Sequence, residues 1–352
     1  MRTNFESRSG IAVERREESL DYEAGLDALI ERLNQARGAY FSSGVEDPDR
    51  YTRWDFGFED PPLEMTARGN EVRFSALNDR GERLLAILAP VLTEGPETRI
   101  VASEAREIVL EVVLGDEVFA EEERSRQPSV FTPIRRLVED FAGTEDAFLG
   151  LYGAFGYDLI FQFERMALHH PRPVEGCDLH LFLPDRLYLV DRRKEVATRL
   201  DYEFARDGLS TAEGRNAPFR PLAAPAPTGD GSQGEIERDQ PPEHYMAKVE
   251  QARAHMHAGD IFEVVLSEKF SARYGGSPSD LYHMMRRNNP SPYEFFIQLG
   301  EEQLIGASPE MFVRVEGDRV ESSPISGTAR RGENAMEDAE RILALYNSAK
   351  DE

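Results

Sequence analysis

The sequence predicts an α+β fold, and three observations carry that reading. Strand-like and helix-like stretches come in runs of one kind rather than in strict βαβ alternation. Four short β-type runs near the end are spaced like an antiparallel meander. The composition, 40% hydrophobic and 9% aromatic, is that of a packed globular chain rather than a disordered one. At about 150 residues per domain, a chain of 352 residues starts from a prior of two domains.

In chain order, residues 72–77 alternate like a half-buried strand, and 81–92 have the spacing of a short helix. Residues 99–114 hold two apolar, β-branched runs, and 133–141 return to helical spacing. Residues 179–204 read as successive strands, with turns near Pro184-Asp185 and at 192–194. Residues 216–242 contain six prolines, a Gly/Ser cluster and almost no large apolar residue, which is linker or surface-loop composition. The chain therefore divides into 1–215, a linker at 216–242, and 243–352.

Beyond the linker, Tyr245, Val249, Ala252 and Met256 share one helical face, with Gly259 as the C′ stop. A strand is expected over 261–270. A helix is expected over 280–287, between Ser277-Pro278 and Asn288-Asn289-Pro290. The meander occupies 293–299, 303–305, 311–315 and 319–322. A helix over 335–349 has no cap and runs into Lys350-Asp351-Glu352 with neither Gly nor Pro to stop it. No internal repeat is visible.

Charge and cysteine content exclude several classes. Lys and Arg number 41 against 66 Asp and Glu, a net charge of -25, and that field repels a polyphosphate partner such as nucleic acid. The single Cys177 forms no intrachain disulfide and supplies no multi-thiolate zinc site. No apolar run is long enough to span a membrane. The N-terminus, with Arg2, Glu6, Arg8 and the charged run 14–18, has no apolar signal-peptide core. A soluble, cytoplasmic protein without membrane or nucleic-acid partners is the expectation.

Most eye-catching residues have plain explanations. On a helix, positions two apart point about 200° apart, so His255 and His257 cannot hold one ion between them. His169-His170 precedes Pro171 without an acid at ligand spacing, and Glu121-Glu122-Glu123 reads as a solvated face. Gly275-Gly276 is ordinary turn chemistry, and GLYGAFGYD (150–158) lacks the strand–turn–helix order of a dinucleotide site. PISGTARRG (324–332) is different. Gly327 and Thr328 follow a strand and offer backbone N–H groups and a hydroxyl, with Arg330 and Arg331 adjacent. That set suits a carboxylate or phosphate, although composition alone does not decide for an anion site.

Four strings in order give the second segment a family resemblance: GDIFEVVLS (259–267), NPSPYEFF (289–296), LIGASPEMF (304–312) and PISGTARRG (324–332). They resemble the chorismate-utilising enzymes, and above all the large component of anthranilate synthase. AYFSSG (39–44) and GAFGYDLI (153–160) add weaker matches. RYTRWDFGFEDPPL (50–63) is similar in style to versions fused to a glutamine amidotransferase. The resemblance implies antiparallel sheets packed as a sandwich with flanking helices.

It also implies an activity: ammonia, from glutamine through a fused or separate amidotransferase, is added to chorismate, and anthranilate and pyruvate leave. This is the first committed step of tryptophan biosynthesis, with Mg²⁺ holding the ring carboxylate. A dianionic substrate in so acidic a protein needs local positive field of that kind. By resemblance, Gly327 and Thr328 contact chorismate, Thr328 and Glu263 being the catalytic candidates. Glu263 occupies a position that is Lys in relatives that add water, so isochorismate or salicylate synthesis is disfavoured. Feedback inhibition by tryptophan is implied at Ser43, Pro292, Tyr293 and Glu294, with Arg53 placed to meet the amino acid's carboxylate. Glu294 replaces a frequent Met, and its carboxylate either pairs with the ligand or weakens an apolar pocket.

Family members continue past this point, and the first Glu ligand of Mg²⁺ is expected just beyond Glu352. The chain is thus expected to be an N-terminal fragment with an incomplete C-terminal part and no metal ligand of its own. The alternatives are aminodeoxychorismate synthase, which aminates the ring elsewhere and retains the pyruvyl group, and a non-catalytic fragment that binds tryptophan or a partner. Oligomeric state, a homo-oligomer included, is left open.

Overall fold

Two polar, charge-rich stretches open the chain, and they form a hairpin of β1 (Arg2–Glu6) and β2 (Ala12–Leu20) in the computed structural model. The structure describes residues 1–352 except 23, 25, 46–52, 114–118, 144–145, 165, 167, 169–171, 173–175, 215–218, 223–234, 326 and 349–352; at 121 and 125 it describes backbone only. His169-His170, most of the 216–242 linker and Lys350-Asp351-Glu352 therefore lie wholly or partly outside the described residues.

The hairpin is followed by α1 (Asp27–Arg32), β3 (Gly38–Ser42), β4 (Trp54–Glu59), β5 (Leu63–Arg68), β6 (Glu71–Ala76) and α2 (Asp79–Leu88). Next come β7 (Thr98–Glu104), β8 (Glu107–Val112), α3 (Phe131–Phe141), β9 (Tyr152–Phe155), β10 (Leu179–Leu183), β11 (Arg186–Asp191), β12 (Val196–Arg206) and β13 (Leu209–Ser210). The later part holds β14 (Glu237–Arg238), α4 (Pro242–Ala258), β15 (Phe270–Ser271), α5 (Pro278–Asn288) and β16 (Tyr293–Gln298). It closes with β17 (Gln303–Ser308), β18 (Met311–Glu316), β19 (Arg319–Ser323) and α6 (Ala335–Tyr346).

Two antiparallel sheets organise these elements, one ordered β1-β2-β12-β11-β4-β3-β16-β17 with β13 on β12, the other β7-β8-β6-β5-β10-β9. Their apolar faces share one core that includes Phe58, Leu63, Phe74, Leu110, Phe182, Leu187 and Phe204. A second core forms where Leu29, Ile30 and Leu33, from α1 and its C-terminal end, and Tyr282 of α5 cover Tyr40, Val190 and Phe296 on the other face of the larger sheet. This is the α+β sandwich with flanking helices that the sequence implied. The 243–352 segment contributes to it directly, because β16 and β17 extend the larger sheet beside β3.

The chain passes between sheets at two corners, Asp60–Pro62 and Pro184-Asp185. Arg80, in the first turn of α2, holds both: Nε donates to Asp185 Oδ2 at 2.8 Å, and NH2 donates to the Asp60 carbonyl at 2.7 Å. Asn78 caps the same helix, accepting from Gly81 N at 3.1 Å.

Three local expectations need correction. Residues 261–269 are not a strand; only Phe270–Ser271 pairs, with Glu237–Arg238. An apolar, β-branched run forms a strand when a partner accepts its backbone bonds, and no neighbouring strand lies along 261–269 among the described residues. The meander is broken: β16 pairs β17 and β18 pairs β19, but the second hairpin stands apart from both main sheets. Finally, α6 is capped at its N-terminus, where Asn334 Oδ1 accepts from Met336 N and Glu337 N, both at 3.1 Å, and it ends at Tyr346. The α4 helix forms as expected and stops on Gly259 in the left-handed region (φ 81°), yet none of its residues is buried.

Candidate functional site

The first candidate site is the seam between β3 and β16, strands far apart in sequence. Their register places Glu294 opposite Ser42, Phe295 opposite Phe41 and Phe296 opposite Tyr40. Side chains alternate faces along a strand. Phe41 and Phe295 pack in the inter-sheet core, whereas Tyr40 and Phe296 lie under the helices. Ser43 and Tyr293 continue the Phe41–Phe295 face, and Ser42 and Glu294 continue the other.

Ser43 is buried, and its hydroxyl donates to the Val45 carbonyl at 3.1 Å. Gly44 N donates to the Ser291 carbonyl at 2.8 Å, so the AYFSSG segment is bonded to the turn that leads into Pro292 and Tyr293, both half-buried. A side chain on Gly44 would collide with Glu294 Oε1, which is why a glycine stands there. The structure thus brings Ser43, Pro292 and Tyr293 together and turns Glu294 to the opposite face.

There the Glu294 carboxylate lies 3.3 Å from Arg286 Nε, accepts from Ser42 Oγ at 3.2 Å and accepts from Ser291 N at 3.2 Å. Tyr282 on α5 shares a hydrogen bond with Ser42 at 2.9 Å and meets Tyr40 edge-to-face at 5.7 Å. Burial pushes the Tyr282 phenol up to about 12 and that of Tyr40 higher still, so both stay neutral. Nearby Asp55 pairs with Arg192 through Oδ2 at 2.6 Å, while its buried Oδ1 has no partner among the described residues. Arg53 packs over the Trp54 ring at 4.6 Å, and its guanidinium donates to Asp191 at 3.1 Å.

The second candidate region is open. Glu263 and Thr328 are exposed and Gly327 is half-buried, and no hydrogen bond joins them among the described residues. The His255 ring shares a hydrogen bond with Asp260 at 2.8 Å, at the start of the segment carrying Glu263. Beyond Thr328, Arg331 pairs with Asp338 at 3.4 Å, and Arg341 donates to the Arg330 carbonyl at 3.1 Å, tying the loop to α6. No group of three His, Cys, Asp or Glu side chains is placed to hold a metal among the described residues.

The chorismate binding enzyme family matches residues 75–352. The chain belongs to that family. Among its relatives, anthranilate synthase of Azospirillum brasilense is 43% identical, over 99% of this chain and 47% of that protein. Anthranilate synthase component 1 of Cereibacter sphaeroides is 35% identical over 57% of this chain and 43% of its own length. Aminodeoxychorismate synthase component 1 of Salmonella typhimurium is 30% identical over the same shares, 57% and 43%. The chain spans about half the length of the curated relatives it matches. A solved structure, anthranilate synthase component I from Streptococcus pneumoniae TIGR4, shares the fold with a TM-score of 0.51 and 22% identity, over 87% of this chain and 59% of that one. No helix among the described residues is long and apolar enough to cross a membrane.

The seam residues that sequence reasoning missed are Ser42, Gly44, Tyr282, Arg286 and Ser291. One signal was available. A glutamate in the run YEFFIQ shares a strand face with Phe296, and a carboxylate buried on such a face needs a cation; Arg286 and Arg287 end the preceding helix.

Proposed function

We propose that this chain supplies the N-terminal part of an anthranilate synthase large component. The reaction adds ammonia to chorismate, expels a ring hydroxyl and eliminates pyruvate to leave anthranilate. The observation that carries this reading is the 43% identity to the Azospirillum brasilense anthranilate synthase, sustained over 99% of the chain. Aminodeoxychorismate synthase is the rival, and its match reaches only 57% of the chain at 30% identity.

On this reading the Gly327–Thr328 backbone and hydroxyl hold a chorismate carboxylate, and Glu263 faces the reacting ring from the 261–269 segment. Mg²⁺ would neutralise the substrate carboxylate when bound, but the described residues do not gather a ligand set for it. No step here runs through the metal. Ammonia comes from glutamine by way of a fused or separate amidotransferase. Tryptophan acts as feedback inhibitor at the β3–β16 seam, between the Ser43 segment and the Pro292–Glu294 segment, and the enzyme works in the cytoplasm.

The test is the product. Enzyme containing this chain, supplied with chorismate, an ammonium salt and Mg²⁺, yields anthranilate, read by its fluorescence, with pyruvate in equal amount. Isochorismate, salicylate or aminodeoxychorismate as the main product overturns the reading.

A further inference from the structure

Glu294 has its side chain wholly enclosed, 0% exposed. A carboxylate removed from water needs both a countercharge and hydrogen bonds. Here each comes from a different piece of the seam. Arg286 on α5 gives the charge, Ser42 on β3 gives one hydrogen bond, and the Ser291 N–H in the turn before β16 gives another. With Ser42 Oγ donating to the carboxylate, the Tyr282 hydroxyl donates to Ser42, so α5 is joined to β3 a second time. The other end of α5 is fixed as well. Ser279 N donates to Asn34 Oδ1 at 3.0 Å, and Asn34 Nδ2 donates to Ser279 Oγ at 2.8 Å, just past α1.

We propose that Glu294 is a positioning residue: its carboxylate, held by Arg286, locks the 42–44 and 289–294 walls at one spacing before an effector arrives, and it does not touch the effector itself. This rests on the reading of the seam as the tryptophan site. Strand alternation turns the side chain away from the Ser43–Tyr293 face, and both carboxylate oxygens are engaged within the protein. A site whose walls are already bonded loses less freedom when a ligand enters. The geometry therefore favours an effector site that is preassembled rather than closed by its ligand.

Two readouts test the lock in three variants: Glu294→Met, Glu294→Gln and the double variant Arg286→Leu/Glu294→Met. Hydrogen exchange on the chain reports the 39–44 and 289–294 segments directly. The tryptophan concentration for half-inhibition is measured on the enzyme containing the chain. Glu294→Met removes the carboxylate that ties the half-buried Arg286, Ser42 and Ser291 together, so both segments lose protection together and the half-inhibitory concentration rises about tenfold or more, equivalent to ~1.4 kcal/mol. Glu294→Gln keeps the volume and the acceptor and shows a smaller shift in the same direction if the methionine variant fails to fold. The double variant removes both charges, and it recovers protection and most of the sensitivity.

Unchanged protection in Glu294→Met and Glu294→Gln overturns the lock. Restored protection in the double variant without restored inhibition shows that the carboxylate contacts tryptophan, and overturns the positioning role. If tryptophan does not inhibit the parent enzyme, the inhibitor reading falls, and the exchange data alone decide whether Glu294 sets the seam.

Discussion

Ser43 is 5% exposed, and the next residue, Gly44, is bonded through its N–H to the Ser291 carbonyl at 2.8 Å, in the turn before Pro292 and Tyr293. Ser43→Phe places a ring beside that turn. The expected result is loss of tryptophan inhibition, measured against the variant's own uninhibited rate. Overpacking should cost about 1–3 kcal/mol, visible as a lowered melting temperature. Inhibition like the parent's in that variant refutes the placement of the site. Ser43 was legible because it sits in the string AYFSSG, whereas Ser42, one position away, was not. What distinguishes Ser42 is its cross-strand neighbour Glu294, and a pairing between residues so far apart leaves no mark on local periodicity.

The β5–β10 pair carries a pH dependence of its own. His180 on β10 shares a hydrogen bond with Glu64 on β5 at 3.0 Å. Burial alone would push the imidazole down, but the Cys177 thiol and then the Glu64 carboxylate outweigh it and raise the group to about 9. A raised pKa means that the folded state binds the proton more tightly. The contribution is fully present below the unfolded value near 6.5 and is lost as pH climbs through 9, amounting to about 3 kcal/mol at most. Unfolding free energy measured from pH 6.5 to 9.5 should fall in the parent and stay flatter in His180→Gln; equal slopes would contradict the assignment. Elements of this kind were readable from sequence where a strand had a close partner, as at β10, β11 and β12. The run at 261–269 has the same apolar character and stays irregular, because strand formation is a property of two segments and the sequence displays one at a time.

Across the whole molecule, order and burial are unevenly shared. The two sheets enclose a continuous core, while α4 and α6 bury no residue and, among the described residues, the β18–β19 hairpin pairs only with itself. Phe262, Val265 and Phe312 are 98%, 86% and 90% exposed. Exposed apolar surface on this scale marks a region that needs covering. Among the described residues, the 261–269 segment and the β18–β19 hairpin leave their apolar side chains largely uncovered. Met1–Glu352 in isolation should make no measurable anthranilate and should bind a hydrophobic dye strongly. Its slow-exchanging amides should be confined to the two main sheets. Anthranilate formation at an ordinary enzymatic rate would show that these residues suffice for catalysis. The antiparallel α+β architecture was legible in the order of runs; the division of labour between covered and uncovered parts was not, since it depends on how many partners each face finds.

The pairing of β3 with β16 also has a consequence for synthesis. Ser42 and Glu294 are 252 positions apart, and translation proceeds at about 5–20 residues per second. From its own emergence until β16 follows, β3 thus has a free edge for roughly 10–50 s. Its sequence, GAYFS, carries no charge or proline that would discourage pairing with another chain. The nascent protein is most vulnerable to intermolecular association during that interval, at the strand that later forms one wall of the seam, and a chaperone that shields open strand edges would act there.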